Sequence, residues 1–193
     1  MFRGGPHDHV VQFYETDDDL AGRVTDYLLG AMRDNGVGII VATRPHRAAI
    51  ETRLEQAGVH LRAAREHGVY LALDAEETMS KFMINGHADP SSFWKVISPI
   101  MKKAARRRRK VAVFGEMVAV LWEADQAGAA VDLEALWNEL ASQHRFSLFC
   151  AYPAAVLSDT EHANELAEVL GAHSDTIDAR GRGDGALSLL SEC

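Results

Sequence analysis

Cysteine is scarce in this chain, with only Cys150 and Cys193. Two thiols so placed make neither a disulfide framework nor a Cys-x-x-Cys pair, and a reducing cytoplasm is expected. No apolar run approaches the ~18 residues of a membrane-spanning helix, and no apolar leader opens the chain. Neither secretion nor membrane insertion is therefore expected. No Gly-x-Ser-x-Gly elbow is present, so covalent catalysis has no support from that pattern. Positive charge is also in deficit. Against 28 Asp and Glu stand 20 Lys and Arg, a formal net charge of −8, which argues against direct contact with nucleic acid. The run Arg106-Arg107-Arg108-Arg109-Lys110 is the exception. It reads first as the last turn of a helix, where cations suit the dipole, and second as a docking patch for an acidic partner.

The most informative stretch is His9 to Asn35, where an apolar run (His9–Tyr14) breaks into an acidic turn and a helix begins. Strand, turn and helix in that order are where a phosphate loop would lie. Such a loop needs glycines, so that backbone N–H groups crowd the anion, and a lysine to reach the terminal phosphates. Between Tyr14 and Ala21 there is no glycine and no lysine, while Glu15, Asp17, Asp18 and Asp19 are all present. Four carboxylates repel polyphosphate but suit a helix N-terminus, with Thr16 or Asp17 as the cap. This is a degenerate P-loop, and no nucleotide hydrolysis and no cofactor are expected.

Along the chain, short apolar runs alternate with helical stretches. Strands are predicted at 9–14, 37–43, 69–74, 110–115 and 146–152, all short and rich in β-branched or aromatic residues. Helices are predicted near 18–34, 46–57, 91–109, 117–128, 132–144 and 159–171. Asn35-Gly36 and Gly58 mark helix ends, and Pro90 with Ser91 and Ser92 marks a start. Strands joined by helical crossovers imply an α/β three-layer sandwich around a mainly parallel five-stranded sheet. One domain over 1–173 is expected, followed by a flexible tail over 174–193 with a short helix near Ala186–Leu190.

Parallel sheets bind ligands beyond the carboxyl ends of their strands. Those ends carry Tyr14 and Glu15, Thr43 and Arg44, Asp74, Glu116, and Cys150 with Tyr152. Each also has a purely structural reading. Glu15 could serve the helix start, the tyrosines could be edge-of-core aromatics, and Cys150 a small buried hydrophobe. Glu116 stands directly after Val-Ala-Val-Phe-Gly, the place of a Walker-B-like acid. Without a phosphate loop, a polar ligand contact or a hydrogen bond to a helix's first turn is left for it. Trp94, Trp122 and Trp137 fit core packing, and Met79, Met83 and Met101 fit gap-filling or a pliable pocket. The nine histidines show no His-x-x-x-His or Cys–His spacing, and no metal site is expected.

Several ordered blocks together resemble the MEDS family, the methanogen/methylotroph, dichloromethane-repressor sensory domain. They are His9-x-x-x-Phe13-Tyr14-Glu15, Gly115-Glu116-Met117-Val118 with Leu121-Trp122, Leu136-Trp137-Asn138, and Phe149-Cys150-Ala151-Tyr152-Pro153, with His173 after the last helix. The resemblance covers roughly residues 7–173. It implies a RecA/KaiC-like core that has lost hydrolysis, with strand order 5-1-4-3-2. That order would set Glu15 and Glu116 side by side and let Tyr14 and Tyr152 frame one apolar cavity.

The expected function is a non-catalytic, cytoplasmic sensory domain binding a small organic, hydrocarbon-derived ligand. The site would be His9, Phe13, Tyr14, Glu15, Glu116, Trp122, Cys150 and Tyr152. The family relationship implies a regulatory partner of the histidine-kinase, transcription-regulator or anti-sigma kind, since the chain leaves no room for a second output domain. A homodimer is one route for transmission. The alternative is a protein-interaction adaptor in the same kind of pathway with no small-molecule ligand.

Overall fold

In chain order the elements are β1 (His9–Tyr14), α1 (Asp17–Arg33), β2 (Val37–Ala42), α2 (Arg44–Gln56), α3 (Leu61–Glu66), β3 (Tyr70–Asp74) and α4 (Ala75–Met79). They continue with β4 (Met83–Ile84), β5 (His87–Ala88), α5 (Pro90–Ala104), β6 (Val111–Gly115), α6 (Met117–Glu123), α7 (Ala127–Gln143), β7 (Ser147–Pro153), α8 (Ala163–Ala172) and β8 (Asp175–Ile177). The computed structural model describes residues 8–33, 35–106 and 109–178. His7, the middle of the basic run, Cys193 and the helix expected near 186–190 lie outside the described residues.

Six strands form one sheet in the order β3-β2-β6-β7-β1-β8, and every neighbouring pair runs parallel. β4 and β5 make a separate two-stranded antiparallel hairpin. The five expected strands are present, but their order is corrected. In the numbering of the expected strands it reads 3-2-4-5-1, not 5-1-4-3-2, because β7 pairs with β6 on one side and β1 on the other. The RecA-like arrangement is therefore not reproduced, and β1 is not a neighbour of β6. The sheet also extends past the expected domain end. Asp175–Ile177 pairs with β1, so the first residues assigned to a tail belong to the sheet.

Pleating divides each strand between two cores, since successive side chains point to opposite faces. Val11, Phe13, Ile39, Val41, Val113, Leu148, Cys150 and Tyr152 pack against α4 to α8. Val10, Tyr14, Ile40, Ala42, Phe114, Phe149 and Ala151 pack against α1, α2 and α3. This is the expected three-layer sandwich, with both sheet faces covered.

The first helix starts and stops where the sequence signals lie. The Thr16 hydroxyl accepts from the Asp19 N–H (3.2 Å) and donates to the Asp19 carboxylate (2.8 Å), which makes Thr16 the cap. At the far end Asn35 takes φ 58°. Gly36 follows where a Cβ would stand 2.6 and 2.7 Å from the Ala31 and Lys110 carbonyl oxygens, so only glycine fits without a shift. Among the described residues no helix is long and apolar enough to cross a membrane.

Candidate functional site

The register of β2 and β6 sets Gly115 opposite Val41, and the Glu116 N–H donates to the Val41 carbonyl (2.9 Å). Glu116 is thereby carried to the start of α2, which Thr43 does not cap with its own side chain. The Glu116 carboxylate takes over that role. It accepts from the Thr43 N–H (2.8 Å) and hydroxyl (3.2 Å), and from His46 Nδ1. Only 3% of Glu116 is exposed, and a buried carboxylate persists only with such partners. The other ring nitrogen, His46 Nε2, lies 3.3 Å from the Asp17 carboxylate at the start of α1. The hydrogen bond with Glu116 lifts the His46 pKa to about 9 against the opposing effect of burial, with Asp17 adding to the rise. His46 is thus a cation at neutral pH, held between two acids. Tyr14 packs edge-on to it at 6.2 Å between ring centroids. Its hydroxyl pKa is raised by burial and then by Glu116, Glu123 and Asp17.

Beside this group, beyond the carboxyl ends of β2 and β3, lies a cleft of about 570 Å³. Thr43, Arg44, Arg47, Asp74, Glu77 and Lys81 are among its lining residues. Arg47 pairs with Asp74 (3.6 Å) and Lys81 with Glu77 (2.9 Å). Asp74 also caps α4 by accepting from the Glu77 N–H at 3.1 Å. Its position agrees with the general rule for parallel sheets, but its walls are polar, not apolar.

A second polar group lies inside the core on the other face of the sheet. Glu134, on α7 and 1% exposed, receives the Tyr152 hydroxyl at 3.0 Å and lies 3.6 Å from Cys150 Sγ. His9 Nε2 stands 3.2 Å from one Glu134 oxygen and 3.4 Å from Cys150 Sγ, and His173 Nε2 stands 3.5 Å from the other oxygen. Burial pushes the Glu134 pKa up, but His173, His9 and Tyr152 together outweigh it and leave it lowered. Burial lowers His173 to about 4, against the pull of Glu134. Burial and the neighbouring Glu134 carboxylate push the Cys150 thiol and Tyr152 hydroxyl well up.

The eight expected site residues therefore do not share one site. His9, Cys150 and Tyr152 meet around Glu134. Phe13 stacks on Tyr152 (6.1 Å) and Trp122 meets it edge-on (5.7 Å), which fills the space beneath. Trp122 also donates to Asp159 at 3.1 Å. Tyr14 and Glu116 belong to the α2 group. The common cavity of Tyr14 and Tyr152 is corrected by the pleat: Phe13, not Tyr14, is level with Tyr152, so the two tyrosines project to opposite faces. The pairing of Glu15 with Glu116 is corrected as well. Glu15 is exposed, β7 separates their strands, and Asp17 is the acid that reaches the group.

Local spacing missed His46, Glu134 and Asn138 as site members, and Thr43, although named at a strand end, was left out of the expected site. Glu134 had one visible signal, an acid on the apolar stripe of α7, with Asn138 one turn on along the same face.

The chain is thus a parallel α/β sandwich with two buried polar groups and a cleft at the strand ends. The sequence narrows this further. Residues 8–174 match the MEthanogen/methylotroph, DcmR Sensory (MEDS) domain, and the chain belongs to that family. No curated protein sequence matches the chain.

Proposed function

We propose that this chain is a non-catalytic sensory domain that binds a small organic molecule in the cleft beyond β2 and β3, acting in the cytoplasm on a regulatory protein partner. The family describes a sensory domain, and the cleft position carries the reading. Thr43 both lines the cleft and is held by Glu116. A molecule settling on Thr43, Arg44 and Arg47 would therefore act on the turn between β2 and α2, which the Glu116 carboxylate at the end of β6 holds. The charged lining favours a hydrocarbon derivative carrying a polar head group over a bare hydrocarbon. Among the described residues Phe13 and Trp122 pack onto Tyr152, and that filled interior gives the adaptor reading its one support.

Native mass spectrometry of the purified chain tests this. The expected result is a co-purifying organic molecule that is lost from Arg47→Ala protein of unchanged fold. A molecule retained equally by Arg47→Ala and Lys81→Ala proteins would move the site away from this cleft.

A further inference from the structure

The group around Glu134 has more hydrogen-bond acceptors than its described neighbours can satisfy. Asn138 Nδ2 donates to the Ala172 carbonyl (3.0 Å), which turns Asn138 Oδ1 toward His9 Nδ1 (2.9 Å). An amide oxygen only accepts, so His9 carries its proton on Nδ1. His173 Nδ1 likewise donates to the Val169 carbonyl (2.6 Å). In the neutral rings both Nε2 atoms are then bare lone pairs. His173 Nε2 is fully buried, has no hydrogen-bond partner, and faces a carboxylate oxygen at 3.5 Å. His9 Nε2 faces the other oxygen at 3.2 Å. Lone pairs opposed in a dry interior repel unless a cation or a proton lies between them. Tyr152 and Cys150 supply the hydrogens here, two donors against two imine nitrogens and two carboxylate oxygens.

A metal ion resolves this arrangement. His9 Nε2, Cys150 Sγ, a Glu134 oxygen and His173 Nε2 all lie within 4.8 Å of one another. Ligands at zinc bond lengths of about 2.0–2.3 Å stand about 3.3–3.8 Å apart at the corners of a tetrahedron. With Glu134 Oε2 as the carboxylate ligand, the separations of 3.2, 3.4 and 3.6 Å fall near that range. His173 Nε2 stands 3.5 Å from the other oxygen, Oε1, and a separation of 4.8 Å, the bound on the set, needs a contraction of about 1 Å. Two imidazoles, one thiol and one carboxylate are donors that suit a borderline-soft divalent ion. The outer contacts agree, because metal-bound imidazoles ordinarily give their second N–H to a carbonyl or carboxylate, as both rings do.

We propose that His9, Glu134, Cys150 and His173 form a buried four-coordinate site for zinc or a zinc-like divalent cation. On binding, the Cys150 thiol proton leaves to solvent and the thiolate becomes the ligand. Thiolate and carboxylate together carry two negative charges, which the ion neutralises. The four ligands come from the start of β1, the middle of β7, the inner face of α7 and the turn between α8 and β8. The ion would thus tie the short edge strand to the centre of the domain. This inference is independent of the strand-end cleft.

Cobalt(II) is the probe, added to chelator-treated full chain both in the native state and during refolding. One cobalt per chain is expected, with the near-ultraviolet thiolate charge-transfer band and the intense visible bands of tetrahedral cobalt, both displaced by zinc. Cys150→Ser should remove the charge-transfer band. Cys150→Ser and His173→Gln should each weaken zinc binding by more than about a hundredfold, and Asn138→Ala by about 10- to 100-fold. The exposed His87→Ala should leave it unchanged. Circular dichroism reports whether each variant folds. X-ray absorption of the zinc-loaded unaltered chain gives a readout that needs no variant, expected to show one sulfur and three nitrogen or oxygen neighbours. Absence of cobalt bands under both loading conditions would overturn the proposal. So would a first shell without sulfur, or equal zinc affinity in the unaltered chain and the folded Cys150→Ser and His173→Gln variants, which would leave only adventitious binding to other histidines.

Discussion

Replacing Glu116 by Gln keeps the shape of the side chain and an oxygen for the Thr43 N–H, but removes the charge that faces His46. The His46 pKa rises from 6.5 to about 9 in the folded chain, and that difference sets the size of the effect. At about 1.36 kcal/mol per pKa unit the ceiling is about 3.4 kcal/mol. The His46 side chain is 13% exposed and the Asp17 carboxylate that shares in the shift is 79% exposed, so screening by solvent reduces this to about 1–2 kcal/mol. The sign follows from proton linkage. A group whose folded pKa is raised stabilises fully below its unfolded value, and the contribution disappears as pH climbs through the folded value. Glu116→Gln should therefore cost about 1–2 kcal/mol at pH 6 and progressively less between about pH 6.5 and 9, with little electrostatic cost left at pH 10. Urea unfolding of both proteins at pH 6 and pH 10 measures this. A cycle with His46→Gln isolates the pair from other alkaline titrations. The same loss at both pH values, or a coupling energy below about 0.5 kcal/mol at pH 6, would refute the assignment of Glu116 as an ionic anchor for α2.

Gln12 is fully buried in β1, and neither its amide nitrogen nor its amide oxygen has a hydrogen-bond partner among the described residues. Gln12→Met, of similar shape, should stabilise the chain by about 1–2 kcal/mol, read as a raised urea midpoint with unchanged slope; destabilisation would reveal a partner for the amide. Tyr14 is 6% exposed within the core facing α1, so Tyr14→Ala should cost about 3–5 kcal/mol while Tyr14→Phe stays within about 1 kcal/mol. A stable Tyr14→Ala protein would show that the ring is not part of that core.

The strands were readable because buried parallel strands are short continuous apolar runs, and Val37–Ala42 and Val111–Gly115 have little other reading. The same property hid their order. With both faces apolar, no alternation marks which neighbour a strand prefers, and β7 slots between β6 and β1 without leaving a local trace. From that one displacement follows the mistaken pairing of Glu15 with Glu116. The expectation for Tyr14 with Tyr152 failed instead on the pleat, because the two are one residue out of register on neighbouring strands. Leu61–Glu66 and Ala75–Met79 are too short to show a helical period, and Asp175–Ile177 is too short to show a strand. His9 and Cys150 were both visible as unusual residues. Their meeting depends on β1 lying beside β7 with Val11 level with Cys150, which spacing in the sequence cannot express.

Among the described residues, Glu116 and Glu134 are the two places where a buried acid breaks an otherwise apolar pattern. Burying a carboxylate costs several kcal/mol unless nearby donors or cations offset it. In each case the partners come from distant segments: Thr43 and His46 for Glu116, His9, Tyr152 and His173 for Glu134. An acid so held is more costly alone than absent, because losing a partner leaves a dry charge while losing the acid leaves a hole. Neither side chain can therefore be understood as an isolated substitution. The unit on which the chemistry acts is the acid with its set of partners, one set gripping the start of a helix beside the cleft and the other joining four separate elements in the core.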